Sequence, residues 1–593
     1  MVSPKRLAPL VSLVVCGIGT VIGPAVHPGA SGLVSAFAAP GRGEKKSGKA
    51  SAASATASSP AAASSNASSA SSASSAAALS ASAHGAPAGS SAVPVQPPSM
   101  APARDGQELL TASLPKLDPS PRVVGTCESG ARDKGPLRFG LAHFNDLQAR
   151  YSDLLGGRSR YAYIAGYLRQ LKTEQPTIVL DAGDDYEKGA LAEVRSNGET
   201  TRQMVQALPI DVRTVGNHDF AYGETAVLRD VRLSQHPVLA ANVKHAGLPS
   251  AKQPFRPYAR VDVGCVKIGV IGLVTQNFGA DDRPTSAPYS GVFVQDDRYQ
   301  AILEREAKAH RSEVDVLIAL THLGYAEDVA LARKGGRLVD IIVGGHTEDV
   351  SKEPGMIVHP DNTKTWVLQA GRFGEVLGRG DVVVNPTEHA GGRSKIGLEK
   401  YRLVEVDEKM PVAEDVAALA KRLEDAVVPD AHTPIGRLSA PIKQGKPITE
   451  LVSRAAKTIW NLDVVVLGKD LFWAGLPKGD LTLQRLYDAV LVQRQPAGTS
   501  GLSSLWVVEL TGAEMTALQK ASRVGGTYEW FGPRDRFDPG KRYRLGLDKR
   551  AATYPKTLFG GEAKLVRASY LGEMIDALEP FVKARSSKGQ TVD

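Results

Sequence analysis

Cysteine is scarce: the 593-residue chain holds three, Cys16, Cys127 and Cys265. That excludes a disulfide framework and any cysteine-built zinc ribbon. A Lys/Arg-rich block is also missing. Lys+Arg number 71 against 63 Asp+Glu, a net charge of +8. Over this length the excess is mild, and nucleic acid is not implied as a partner. From Gly41 to about Arg104 large apolar side chains are nearly absent. Alanine and serine dominate that tract, with some glycine and proline. It has too little surface to bury, so it is expected to be disordered and to act as a tether.

The mostly apolar stretch Leu7 to Val21 is broken by Pro9, Gly17 and Gly19. Lys5 and Arg6 precede it, and Ala36-Phe37-Ala38 gives a small-x-small cleavage site. Residues 1–39 therefore read as a secretory signal, with a membrane anchor as the competing reading because the apolar region is long. Val15 before Cys16 is too large for a lipoprotein box. Removal of residues 1–39 leaves no expected membrane span. The expected location is outside the cytoplasm: periplasmic, at the cell surface or extracellular. Cys127 and Cys265 then either pair in an oxidising compartment or stay as two thiols buried apart.

The length allows more than one domain and a large core. From about Pro136 short apolar runs alternate with helical spacing. Strands are expected at Leu137 to Leu141, Thr177 to Leu180, Asp211 to Val215, Val238 to Asn242, Val266 to Leu273, Val316 to Leu320 and Ile341 to Val343. Helices are expected at Tyr161 to Leu171, Thr201 to Leu208, Ala301 to His310 and Val329 to Lys334. This alternation predicts a layered α/β domain over 136–385. A linker with a helix at Val412 to Val427 is expected over 386–430, and a second, smaller α/β domain over 431–593. In the latter the pattern predicts a helix at Ile448 to Trp460, strands at Asp463 to Leu467 and Leu505 to Leu510, a turn at Pro477 to Asp480, and a last helix at Tyr570 to Ala584. Thr511 is a natural N-cap for the helix after Leu510.

Five polar clusters follow apolar runs: Asp146-Leu147-Gln148, Gly183-Asp184, Gly216-Asn217-His218, Thr321-His322 and Gly344-Gly345-His346-Thr347-Glu348. Strand ends are where an α/β sheet builds its site. Asparagine offers a neutral carbonyl oxygen to a metal ion, and histidine either a ligand nitrogen or a proton donor near neutral pH. Any one cluster also fits an ordinary turn or a packed core pair; the ordered set does not.

In order and character the clusters resemble the calcineurin-like metallophosphoesterases, specifically the secreted 5′-nucleotidases and UDP-sugar hydrolases. The resemblance implies a four-layer α/β/β/α domain, followed by a smaller 5′-nucleotidase-type domain. It implies two divalent ions bridged by Asp184. One would be held by Asn217, His322 and His346, a mixed nitrogen and oxygen set suited to zinc, manganese or iron. The other would be held by Asp146, Gln148 and Glu348. That set has no imidazole and favours manganese, magnesium or calcium. The family pattern puts a histidine where Gln148 stands, and a histidine, glutamine or asparagine at Glu348. Paired ions polarise a phosphoryl oxygen and activate water. Asn217 and His218 would be the catalytic residues, His218 protonating the leaving oxygen or steadying its charge. The family's orienting aspartate, three residues on, is replaced by Ala221. In the second domain an expected arginine is replaced by Trp473, while Tyr528 and Trp530 either stack on a substrate ring or belong to the core.

The leading expectation is hydrolysis of a nucleotide or related small phosphate ester by metal-activated water. Two alternatives stand beside it. One is a catalytically impaired metal- or ligand-binding homologue, suggested by Gln148, Glu348, Ala221 and Trp473. The other is a hydrolase of another ester, like the thiosulfohydrolases of sulfur oxidation.

Overall fold

The computed structural model describes residues 121–593, apart from 188, 276–291, 335–337, 391–392, 473, 491–503, 524–525, 535 and 593, and without the side chains of 387–393 and 470. The expected signal and the Ala/Ser tract lie outside the described residues. Two sheets face each other in the first half. The six-stranded sheet runs Arg393–Glu405, Val376–Ala390, Leu137–Phe144, Thr177–Asp181, Val212–Thr214, Val238–Leu239. The seven-stranded sheet runs Arg122–Val124, Tyr258–Val263, Val266–Val274, Val316–His322, Ile341–Gly344, Lys364–Gln369, Gly355–Val358.

Strand periodicity explains the layers. In Leu137–Phe144, Phe139 and Leu141 point to the facing sheet, where they meet a core containing Ile318, Leu320, Ile341 and Val343. The alternate residues Ala142 and Phe144 face a helical layer with Ile164, Leu168, Met204 and Val416. Across the sandwich, Leu317 and Ala319 face Ile302, Leu303, Leu331 and Ala332 on the other helical layer. Strands covered on both faces read as continuous apolar runs rather than alternating ones. The order is α/β/β/α.

The parallel ladder Leu137–Phe144, Thr177–Asp181, Val212–Thr214 and the parallel ladder Val316–His322, Ile341–Gly344 end on the same rim. Their C-terminal ends carry the polar clusters. Residues expected to begin a linker after Asn385 instead continue the six-stranded sheet. Val376–Ala390 pairs with Leu137–Phe144 on one edge and with Arg393–Glu405 on the other. Arg393–Glu405 is the edge strand and has a solvent-facing side, so its sequence reads as linker. The helix Glu414–Val427 follows it.

A second α/β region has a five-stranded sheet in the order Tyr528–Phe531, Val464–Gly468, Arg542–Asp548, Ser504–Thr511, Ser569–Glu573. Thr511 caps its helix in a capping box with Glu514. Two local expectations need correction. The Pro477 to Asp480 turn gives way to a strand, Gly479–Thr482, paired with Pro434–Leu438. The last helix starts at Met574, because Ser569–Glu573 is recruited as an edge strand and Glu573 caps the helix. Cys127 and Cys265 form a disulfide that ties the start of the described chain to the seven-stranded sheet. Among the described residues no helix is long and apolar enough to cross a membrane.

Candidate metal centre

The five clusters converge at the rim. Asp146, Gln148, Asp184, His346 and Glu348 all have positive φ, between 45° and 83°. Left-handed backbone is uncommon outside glycine and is kept where surrounding contacts demand it. Here interlocked loop hydrogen bonds do so: Asp146 N donates to Gly183 O at 2.8 Å, and Gln148 N to Asp184 O at 2.9 Å. Gly216 is needed for a different reason, since a Cβ there would lie 2.1 Å from Asp184 Oδ1.

Asp184 is the hub. Its Oδ1 accepts from His218 N at 2.7 Å, and its Oδ2 lies 3.1 Å from His322 Nε2. His322 is fully buried, and its Nδ1 donates to Ala182 O at 2.7 Å. That bond fixes the tautomer and turns Nε2 inward, the arrangement a metal-binding imidazole requires. Asn217 Oδ1 sits 2.9 Å from His346 Nδ1. The ligand atoms of Asp184, His322 and His346 lie within 4.8 Å of one another. Burial works against a charged His322, but Asp184 and Asp146 outweigh it and push its pKa up to about 10. Burial, reinforced by Asp184 and Glu348, raises Asp146 to about 7. A pocket this negative calls for a cation, and the donor set suits a divalent one.

The other half is built differently. Asp146 Oδ2 accepts from Asn145 Nδ2 at 2.6 Å and from His346 N at 3.0 Å. Asp146 Oδ1 and Gln148 Oε1 are buried without a hydrogen-bond partner among the described residues, as oxygens directed at an ion would be. Glu348 is occupied by protein donors. Its Oε1 accepts from Gln148 Nε2 at 3.0 Å, and its Oε2 pairs with Arg372 Nη1 at 2.5 Å. The Arg372 guanidinium in turn lies 4.5 Å from the centre of the Phe373 ring.

His218, 8 % exposed, stands beside Asp184, with Nε2 3.9 Å from Asp184 Oδ2. Its Nδ1 is 2.5 Å from Glu187 Oε2. Sequence reasoning missed Glu187: it looked for a carboxylate at Ala221 and did not search the loop after Asp184. Asp219 is turned the other way. It accepts from the backbone N–H groups of Asp184 and Asp185, both at 3.0 Å, and of Gly216 at 2.5 Å. Beneath lies Arg213, fully buried among Asp185 at 3.0 Å, Asp230 at 2.8 Å and Asp219 at 3.6 Å. His143, on the strand that leads into Asp146, is packed away between the sheets against Tyr401, 3.0 Å from its hydroxyl. Burial holds its pKa down at about 3.

The expected substrate-stacking residues fare differently. Trp530 belongs to the core of the second region, with its ring N–H donated to Pro533 O at 2.9 Å. Inward alternation along Tyr528–Phe531 therefore removes it as a stacking surface. Tyr528 is half-buried against the same core. Trp473 lies outside the described residues.

Residues 139–348 match the calcineurin-like phosphoesterase family. An apyrase of Tabanus yao is 29% identical over 42% of this chain and 48% of its own length. A snake venom 5′-nucleotidase of Crotalus adamanteus is 28% identical over 45% of this chain and 50% of its own. The chain thus spans about half the length of these relatives. In fold it is similar to a 5′-nucleotidase precursor from Thermus thermophilus, at TM-score 0.55 and 20% identity, over 76% of this chain and 96% of that one. It is also similar to a sulfate thiohydrolase from Thermus thermophilus, at TM-score 0.54 and 18% identity, over 76% of this chain and 94% of that one. The chain therefore carries a calcineurin-like phosphoesterase domain and is a divergent relative of the 5′-nucleotidases and apyrases.

Proposed function

We propose that this protein is an exported, metal-dependent hydrolase of nucleotides or related small phosphate esters. The observation that carries the reading is the convergence of Asp184, His322 and His346 on one point, with Asn217 beside them and His218 at the edge. These residues would hold one divalent cation. Asp146 and Gln148, with Asp184 shared, would hold the second, and Glu348 would join it on release from Arg372. Bound there, divalent ions supply Lewis-acid polarisation of a phosphoryl oxygen and lower the pKa of water.

The chain's own residues do the rest. The Asp184 carboxylate, fixed through His218 N, orients the ligand set. His322 is held as a ligand by its bond to Ala182 O. His218 presents Nε2 toward Asp184, where it would deliver a proton to the leaving oxygen as the P–O bond breaks. Export is supported by the leader-like residues 1–39 and by the Cys127–Cys265 disulfide, which persists in an oxidising compartment.

The test is phosphate release from a nucleotide panel by the full chain, with and without added manganese or zinc, and by Asn217→Ala and His218→Ala. Metal-dependent release that both substitutions reduce supports the reading. Full rates in both variants would refute the mechanism. Turnover of a sulfur ester with none of any phosphate ester would move the protein to the thiosulfohydrolase reading.

A further inference from the structure

The position three residues after His218, where the resemblance expects an orienting carboxylate, is Ala221, and Asp219 is engaged by backbone N–H groups. Yet His218 is held. Glu187, fully buried, reaches it from another loop, with Oε2 2.5 Å from Nδ1. Glu187 has left-handed backbone, φ 66°, and its N–H donates to Glu193 Oε1 at 2.7 Å. Both features aim the side chain at the imidazole rather than along the loop.

That loop does not stand alone. Gly189 packs on the Gln148–Ala149 backbone so tightly that a Cβ would meet Gln148 O at 2.2 Å. Gln484, on the Leu483–Val490 helix of the second region, grips the loop by both ends of its amide. Its Nε2 donates to Gly189 O at 2.8 Å, and its Oε1 accepts from Leu191 N at 3.0 Å. Leu191, Ala192 and Val194 then enter the core of the second region.

We infer that Glu187 positions His218 for leaving-group protonation, and that Gln484 of the second region holds the Glu187 loop in place. The inference rests on the phosphoesterase reading above. With Glu187 accepting the Nδ1–H and its carboxylate balancing the charge of the imidazolium, the Nε2–H is the proton that passes to the leaving oxygen, and His218 is left neutral with its proton on Nδ1. The second region thereby governs chemistry it does not touch. Neither Glu187 nor Gln484 contacts the reacting atoms; both act through His218.

The experiment compares Glu187→Gln and Gln484→Leu with the unaltered full chain, all manganese-loaded. The probes are a nucleoside 5′-monophosphate, whose alkoxide leaving group needs a proton, and 4-nitrophenyl phosphate, whose leaving group does not. Glu187→Gln is expected to lower kcat on the nucleotide about 10²-fold or more, with KM and the 4-nitrophenyl rate little changed. Gln484→Leu is expected to give the same pattern at smaller amplitude. A readout independent of turnover is the His218 Nδ1 proton in NMR spectra. It is expected far downfield and slowly exchanging in the unaltered chain, and absent in Glu187→Gln and in His218→Ala. Equal losses on both esters, no loss on either, or absence of that proton from the unaltered chain would overturn the inference. If the unaltered chain shows the proton and hydrolyses neither ester, the Glu187–His218 pair stands and the phosphoesterase reading falls.

Discussion

On one side of Asp184 stand two imidazoles and an amide; on the other stand oxygen donors and, behind them, a guanidinium. The first side is set up to receive an ion. His322 is locked by Ala182 O, and His346 is aligned with Asn217. The second side is already partly satisfied. Glu348 is shared between Gln148 and Arg372, and Asp146 Oδ1 and Gln148 Oε1 are the oxygens there without a hydrogen-bond partner among the described residues. The contrast teaches that one rim need not bind two ions alike. Nitrogen ligands suit borderline ions, oxygen-only ligands suit hard ones, and a fixed positive charge nearby lowers the demand for a second cation.

The largest break in this comparison is expected from His322→Ala. It removes an imidazole from the nitrogen-bearing side and leaves the buried Asp146 and Asp184 without its opposing charge. Since a catalytic metal supplies several kcal/mol of transition-state stabilisation, phosphate release should fall by about 10³-fold or more. Calorimetric titration should lose its tighter zinc-binding phase while the weaker phase persists.

Reducing the disulfide separates stability from metal choice. It closes a sequence separation of 138 residues and ties the chain to the seven-stranded sheet, which carries His322 and leads into His346. Paired substitution of Cys127 and Cys265 by serine should cost about 2–4 kcal/mol in a denaturant titration. The metal preference of the remaining folded protein should not change.

Arg372→Ala sharpens the contrast from the other side. Freed of its partner, Glu348 becomes available to the oxygen-only set. Manganese affinity at the weaker position should rise by about 10–100-fold, the scale of outer-shell effects on metal sites, while zinc binding at the tighter position holds. A fall in the weaker affinity would show that Arg372 orients Glu348 as a ligand.

The smallest expected effect concerns the loop between Asp184 and the second region. Burial, against the opposing bond from Glu187 N, raises Glu193 from 4.5 to about 8. The folded state therefore favours the neutral acid. That contribution is fully present below pH 4.5 and is lost as pH rises through about 8. Glu193→Gln should flatten this decline, so the melting temperatures of the variant and the unaltered chain should diverge most above about pH 8.

Much of the fold was legible in the residues. Runs such as Val316 to Leu320 are apolar because the strands are covered on both faces, and the polar residues after them mark the rim. Asp184, Asn217, His322 and His346 could be read as one group because each lies at or just past a strand end. The features that escaped depended on three-dimensional context. Glu187 belongs to no strand-end pattern, and only the fold brings its loop under His218. The strand Arg393–Glu405 looks like linker because an edge strand needs no continuous apolar run. Arg372 lies 24 residues after Glu348, a separation that no local pattern joins. Trp530 alternates inward on a strand whose register the sequence does not disclose.

The most direct test is anomalous scattering from crystals of the full chain soaked in manganese. The account predicts a strong peak bounded by Asp184, His322, His346 and Asn217, and a weaker one beside Asp146 and Gln148. A map with no peak among the first four residues, or with its dominant peak on the oxygen-only side, would contradict it.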